Sequence, residues 1–323
     1  MRKHSVPQIR LAIAAQFPAH FFLENIAVRH DNSLLITVAN RRELYYVPPS
    51  YKGAEVQPVL LHTFDQLVGG ISELERDVFV VLTGNVYTTH DNYVHRLDLR
   101  GWEPGSKVEP KLLLSLPKSV LGWNGCCSLS NSTILAADTF GGAIWRVDVD
   151  QQGYAQADVW LKHESMDHIK DTLPPPPQPG VNGVRYAAKL KHAYYTTTGQ
   201  KLLMRVAVDP VDFNPAGEPQ RVASGGMYDD FCIDEERGFA YLTVHRENRI
   251  DCVALVPGGD LSSALALAGE PMTDILLGPS SAAWSRSPDE LGYVFYVTTD
   301  GGQTAPPPDG IVRNAKILRL ELL

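Results

Sequence analysis

The sequence predicts an all-β protein: a six-bladed β-propeller with four-stranded blades, its ring closed by the N-terminal strand. Three observations lead there. A pattern of short strands recurs at intervals of roughly 50 residues, the length of a four-stranded blade. Helical periodicity is nearly absent, and 26 Gly and 23 Pro punctuate the connections. Counting strands leaves the last repeat one short, while one strand at the start of the chain has no repeat to belong to.

The repeats begin near Glu24, Gly70, Asn124, Asn182, Asp229 and Ser280. Each opens on a polar residue, runs into a short apolar strand, turns, and continues into a strand rich in Val, Ile, Thr and Tyr. A loop with Gly, Asn or Asp follows, then a third and a fourth strand. The third strands make the likeness plain: Leu44-Tyr45-Tyr46-Val47, Tyr93-Val94-His95-Arg96-Leu97-Asp98, Ile144-Trp145-Arg146-Val147-Asp148, Leu203-Met204-Arg205-Val206, Ile250-Asp251-Cys252-Val253 and Ile317-Leu318-Arg319-Leu320. The sixth repeat has three strands before Leu323, and Ile9 to Phe17 supplies the fourth, removing an exposed edge that would invite aggregation. Residues 1–323 therefore read as a single propeller domain. Residues 260–268 are expected to form one helical turn. Two segments break the rhythm: 164–181, containing Pro174-Pro175-Pro176-Pro177, and 303–314, containing Pro306-Pro307-Pro308. Such stiff, long loops are either lids or surface decoration.

At 44% hydrophobic and 20% charged the chain has ample material for a core. A net charge of −8 argues against nucleic acid, which needs a dense basic face. No apolar run approaches the length of about 18 residues needed to span a bilayer. Arg2 and Lys3 ahead of Leu11-Ala12-Ile13-Ala14-Ala15 distantly suggest a signal peptide, but the stretch is short and interrupted by Pro7, Gln8 and Arg10, so it reads as a strand. Among the four cysteines, Cys126 and Cys127 are neighbours facing opposite sides of a strand. Cys232 and Cys252 fall on the first and third strands of one blade, about 9–10 Å apart and beyond disulfide reach. Reduced thiols favour an intracellular protein, while the glycosylation pattern Asn131-Ser132-Thr133 leaves secretion open.

In a propeller the innermost strands line a central channel, and their first residues gather at one rim. That rim would hold Glu24 and Asn25, Gly70, Asn124, Asn182, Asp229 and Asp230, and Ser280 and Ser281. Loops joining second to third strands open on the same face and add Asn40 to Arg42, Asp138 and Thr139, Thr196 to Thr198, His245 and Arg246, and Asp300. Trp123 and Tyr228 would supply aromatic walls. An apolar concavity with a few converging polar groups suits a small molecule. Asn-Gly and Asp-Asp are also ordinary turn residues; what favours a site is their recurrence at equivalent places in different blades.

Leu23-Glu24-Asn25, Asn124-Gly125, Asn182-Gly183 and Tyr228-Asp229-Asp230-Phe231-Cys232-Ile233-Asp234 resemble the regucalcin/gluconolactonase superfamily across nearly the whole chain. In that family a Glu, two Asn and an Asp at such strand starts bind a divalent cation, and the resemblance implies Glu24, Asn124, Asn182 and Asp229 as the matching ligands. Oxygen-only ligands suit calcium or magnesium. Glu24-Asn25-Ile26-Ala27-Val28-Arg29, Gly278-Pro279-Ser280-Ser281-Ala282 and Tyr296-Val297-Thr298-Thr299-Asp300-Gly301-Gly302 further resemble a fungal branch found beside natural-product pathways. That branch includes hetero-Diels–Alderases, which join an ortho-quinone methide to the alkene of a terpene such as a humulene.

The leading expectation is accordingly a hetero-Diels–Alderase-like cyclase of fungal biosynthesis needing no cofactor, its partners a polyketide-derived quinone methide and a terpene. Cycloaddition needs two partners held in a near-attack pose in a dry cavity, with a donor on the quinone methide oxygen. Asn124, Asn182, Tyr228, His245 and Arg246 are the candidate donors. Trp123, Tyr228, Asp230, Thr197, Trp284 and Asp300 are the candidate substrate contacts, with Trp284 alternatively a core residue. The first alternative is a lactonase of gluconolactonase type dependent on Ca2+ or another divalent cation, which needs an activated water and a proton shuttle. The second is a non-catalytic propeller that binds a ligand or a protein.

Overall fold

A computed structural model of the chain describes residues 8–50, 53–150, 152–170, 178–255 and 262–323. Their strands form six four-stranded sheets, the blades of a propeller. The innermost strands, in order from blade one to blade six, are Leu23–Val28, Leu67–Glu75, Trp123–Ser130, Val181–Ala187, Tyr228–Asp234 and Pro279–Trp284. Each packs against the next, and Pro279–Trp284 packs back on Leu23–Val28, closing the circle. The N-terminal strand Ile9–Ala19 pairs antiparallel with Asn314–Leu322, Ile9 opposite Leu322 and Ala19 opposite Asn314. It completes blade six as expected.

The core is a set of apolar layers between neighbouring blades. Leu135, Ile144 and Trp160 of blade three meet Val184, Tyr195 and Met204 of blade four. Ile26, Ile36 and Val47 of blade one meet Ala15, Tyr296 and Ile317 of blade six. Second strands such as Val78–Gly84 are buried throughout, because a blade stands between two others. That is why they read as near-continuous runs of aliphatic, aromatic and threonine residues. Each such side chain contributes about 1.5–3 kcal/mol when fully buried. Cys126 and Cys127 enter different layers, and all four cysteines are free and buried.

Every innermost strand is bulged near its start. The register shifts lie between Leu23 and Asn25, Val68 and Ile71, Trp123 and Cys126, Val181 and Val184, Tyr228 and Phe231, and Pro279 and Ala282. A bulge bends the strand and re-aims its side chains. Glu24, Asn124, Asn182 and Asp229 all lie within these shifts. A recurring threonine on the second strand takes the amide freed by the bulge. Thr37, Thr196, Thr243 and Thr298 accept from Asn25, Gly183, Asp230 and Ser281 at 3.0, 2.9, 3.0 and 3.0 Å. The Asn-Gly pairs are strand residues here, not turns. A Cβ on Gly125 would stand 2.9 Å from the Asn182 carbonyl oxygen, and one on Gly183 2.4 Å from Asp230 Oδ1, so the crowding at the axis demands glycine.

The helical turn expected over 260–268 is corrected in its described part. Leu265–Ala268 is a strand, the outer member of blade five, paired with Arg249–Ala254. Available ladder partners outweigh the helix preference of its Leu and Ala residues. Residues 260 and 261 lie outside the described residues, as does the run Pro174 to Pro177. No helix among the described residues is long and apolar enough to cross a membrane.

Candidate functional site

At the end of the channel where the innermost strands start, a cavity of about 340 Å³ opens, a volume within the small-ligand range. Bulged strand starts deliver Glu24, Asn124, Asn182 and Asp229 to it. Loops from second to third strands deliver Thr139, Thr198, His245 and Arg246. Its apolar wall is Phe22, Leu67, Val68, Val86, Tyr87, Trp123, Phe140 and Pro179, and Gln303 and Thr304 reach it from the blade-six loop.

His245 and Arg246 sit on a single 3-10 turn, His245–Glu247, ended by Asn248 in the left-handed region at φ 55°. Asn is among the residues that tolerate this conformation, and its Oδ1 accepts from the Gly278 amide at 2.7 Å. The imidazole is held from two sides. Nε2 donates to Asp300 Oδ2 at 3.0 Å, and Nδ1 lies 3.4 Å from Asp229 Oδ2. The Phe22 ring packs edge-on at 5.3 Å. Burial works against a charge on His245, but Asp300, Asp229 and Glu24 outweigh it and push its pKa up to about 9. Burial, followed by the Asp229 charge, raises Glu24. Burial also raises Asp229, with Asp230 and Asp300 adding to it against His245 and the Asn182 amide. Burial works against the charge on Asp300 too, yet His245, the Thr304 hydroxyl and the Gly302 amide keep its pKa below the usual value.

Of the residues singled out from sequence, Glu24, Trp123, Asn124, Asn182, Asp229, His245 and Arg246 meet around this cavity. The five other candidate donors and substrate contacts do not, each for an identifiable reason, and Asn25, Gly70, Asp138, Thr196, Ser280 and Ser281 of the expected rim do not line it either. Tyr228 precedes the bulge, so its ring turns into the layer between blades four and five beside Tyr194, Phe231 and Leu242. Asp230 points below the cavity, where Oδ2 accepts from Asn25 Nδ2 at 3.2 Å, from the Ser281 hydroxyl at 2.8 Å and from the Arg185 guanidinium. It ties four blades together. Thr197 faces away from its neighbours Thr196 and Thr198, whose hydroxyls donate to the Asp229 and Tyr228 carbonyls. Trp284 ends its strand at the opposite mouth, edge-on to Tyr241 and Phe295, with its indole N–H on the Ile233 carbonyl at 2.7 Å. Asp300 stands behind His245 and holds the Gly302, Gln303 and Thr304 amides, so it positions the imidazole and the loop without lining the cavity.

The sequence reading missed Phe22, Tyr87, Phe140, Pro179, Gln303 and Thr304. Pro179 and Gln303 belong to the two rhythm-breaking segments, which was the available signal; Tyr87 and Phe140 carried none. The recurring second-strand threonine was also legible and would have located four of the six bulges.

The set Glu24, Asn124, Asn182 and Asp229 fits a hard divalent cation. All four border one cavity, the ligand atoms are oxygens, and Asn182 Oδ1 is buried without a hydrogen-bond partner while its Nδ2 donates to Thr198 Oγ1 at 2.8 Å. No cluster of three or more His, Cys, Asp or Glu arranged for a metal occurs among the described residues, so such a site depends on the two amides.

Fold and cavity together define a six-bladed propeller with a polar, aromatic-walled pocket at one mouth. Solved structures of similar fold include a luciferin-regenerating enzyme, with TM-score 0.68, 14% identity, and 98% of this chain and 96% of that one covered. A calcium-binding protein, regucalcin, from Agrobacterium tumefaciens matches with TM-score 0.67, 14% identity and 98% and 95% coverage. A gluconolactonase from Xanthomonas campestris matches with TM-score 0.64, 12% identity and 98% and 91% coverage. These are regucalcin- and gluconolactonase-like propellers, and identity at this level shows a shared fold. No protein-family model and no curated protein matches the chain.

Proposed function

We propose that the protein is an enzyme that hydrolyses a lactone or closely related ester of a small, largely apolar molecule in the rim cavity. One observation carries this reading: Glu24, Asp229 and His245 converge with Asn124, Asn182 and Arg246 in a pocket whose remaining wall is mostly apolar. The reading gains context from the gluconolactonase and regucalcin that share the scaffold.

The chain's own groups have distinct roles in it. A carboxylate at Glu24 or Asp229 takes a proton from the attacking water. Arg246 and the Asn124 amide donate to the carbonyl oxygen as negative charge develops there. His245, fixed by Asp300, returns a proton to the departing alkoxide. The apolar wall excludes bulk water and strengthens these contacts. A divalent cation held by Glu24, Asn124, Asn182 and Asp229 would polarise the carbonyl and acidify a bound water. The test is a pH-stat assay of a panel of aliphatic and aromatic lactones with added Ca2+, Mg2+ or Mn2+, before and after chelation. Expected is turnover that Asp229→Ala abolishes. No turnover of any lactone with any of these ions overturns the reading.

A second reading has its own support. Trp123, Tyr87 and Phe140 form an aromatic wall suited to a hydrocarbon partner, with Arg246 and Asn124 able to donate to a quinone methide oxygen. This is the hetero-Diels–Alder cyclase. Metal-free cyclisation of a quinone methide precursor with a terpene alkene, insensitive to chelation, would select it over hydrolysis.

A further inference from the structure

Most of the buried side-chain polar atoms that lack a hydrogen-bond partner among the described residues belong to residues that line the rim cavity. They are Trp123 Nε1, Thr139 Oγ1, Asn182 Oδ1 and Gln303 Oε1. Folded proteins rarely leave such atoms unsatisfied, because each forfeits its hydration. Asn182 belongs to the candidate cation site. Trp123 and Thr139 do not, and they are neighbours: Trp123 pairs with Asp138 across the blade-three ladder, and the Thr139 amide donates to the Gly122 carbonyl at 2.8 Å. Their exposures are 5% and 3%, so bulk water reaches neither freely.

Position decides what they could hold. Blade three faces blade six across the ring, whereas Glu24, Asp229 and Asp300 stand on blades one, five and six. The wall around Trp123 and Thr139 continues with Phe140 and Pro179, which are uncharged. An anionic group there would face the carboxylates across the cavity, and a cation could not take the indole N–H, which only donates.

We infer that Trp123 Nε1 and Thr139 Oγ1 form a recognition subsite for a neutral oxygen of the ligand, a hydroxyl or carbonyl, at the end remote from the Glu24–Asp229–His245 cluster. The inference deepens the proposed function, since it rests on the rim cavity being the ligand site, and it adds a substrate class: molecules carrying a second, uncharged oxygen across from the reacting group. Trp123 thus acts as a donor as well as an aromatic wall.

The test uses the whole protein labelled with 15N at its 5 tryptophans, with benzyl alcohol and toluene as probes that differ by one hydroxyl. Trp123→Phe identifies the Trp123 indole signal by its disappearance. The expected result is a downfield move of that proton with benzyl alcohol and not with toluene. Thr139→Val should weaken benzyl alcohol about two- to tenfold, the worth of one neutral hydrogen bond, while leaving toluene unchanged. It should also leave thermal unfolding unchanged or raised, because the hydroxyl removed has no partner; a purely structural threonine would give a loss. Equal response to both probes, or to neither, overturns the subsite. Lactone turnover measured on the same preparation separates the two claims. Turnover without oxygen selectivity removes the subsite alone, and selectivity without turnover removes hydrolysis alone.

Discussion

The two mouths of the channel hold cavities of nearly equal size, about 340 Å³ at the strand starts and about 360 Å³ at the strand ends. Size does not distinguish them; polar satisfaction does. At the far mouth Arg286 is paired with Glu73, Arg185 with Asp230, and Ser72 with Ser128 at 2.9 Å. None of the unpartnered buried side-chain atoms among the described residues lies there. At the near mouth they concentrate. Two tryptophans make the contrast sharp: the Trp284 N–H rests on a carbonyl at 2.7 Å, while the Trp123 N–H has no partner. This difference in matching, and not size, is what the proposed ligand site at the near mouth rests on.

Substitutions at the two mouths can break or sharpen this contrast. The largest effect is expected at His245→Ala, which should lower kcat/KM by about 10²–10⁴-fold, the usual worth of an acid–base group, with thermal unfolding read alongside to show that the fold persists. Asp230→Ala, between the mouths, should cost about 2–4 kcal/mol in denaturant unfolding, because it takes the carboxylate from the mostly buried Arg185 guanidinium and leaves the Asn25 amide and Ser281 hydroxyl without their acceptor. Trp284→Ala should cost about 2–4 kcal/mol for a large aromatic lost from a half-buried position, with kcat/KM of the folded protein unchanged. A fall in kcat/KM at Trp284→Ala comparable to that at His245→Ala would erase the distinction between the mouths. Smallest is Arg286→Ala, a partly exposed ion pair at the far rim, expected within about 0.5 kcal/mol and without effect on turnover.

How much of this was legible in the sequence depends on which physical signal each residue carried. The blades were legible because third strands such as Tyr93–Asp98 and Ile317–Leu320 repeat one pattern, and the closing strand because blade six was one strand short. Glu24, Asn124, Asn182 and Asp229 were legible because equivalent positions in a radial array converge. Tyr228 and Thr197 were not. A strand alternates its faces at every residue, and an unseen bulge between Tyr228 and Phe231 changes which residue looks inward. Trp284 failed on distance, since five residues of strand from Pro279 span about 17 Å, the depth of the channel. Phe140 and Tyr87 come from loops whose course no periodicity encodes.

Asp230 lies between the two cavities, gripped by Asn25, Arg185 and Ser281 from three other blades. This cluster separates the two cavities at mid-height, so a molecule that entered at the rim would leave by the same doorway. Under the proposed hydrolysis, reactant and product would not pass in single file from one side to the other. They share a vestibule framed by Tyr87, Gln303 and Thr304, so a slowly departing product would hold the door shut against the next molecule to arrive.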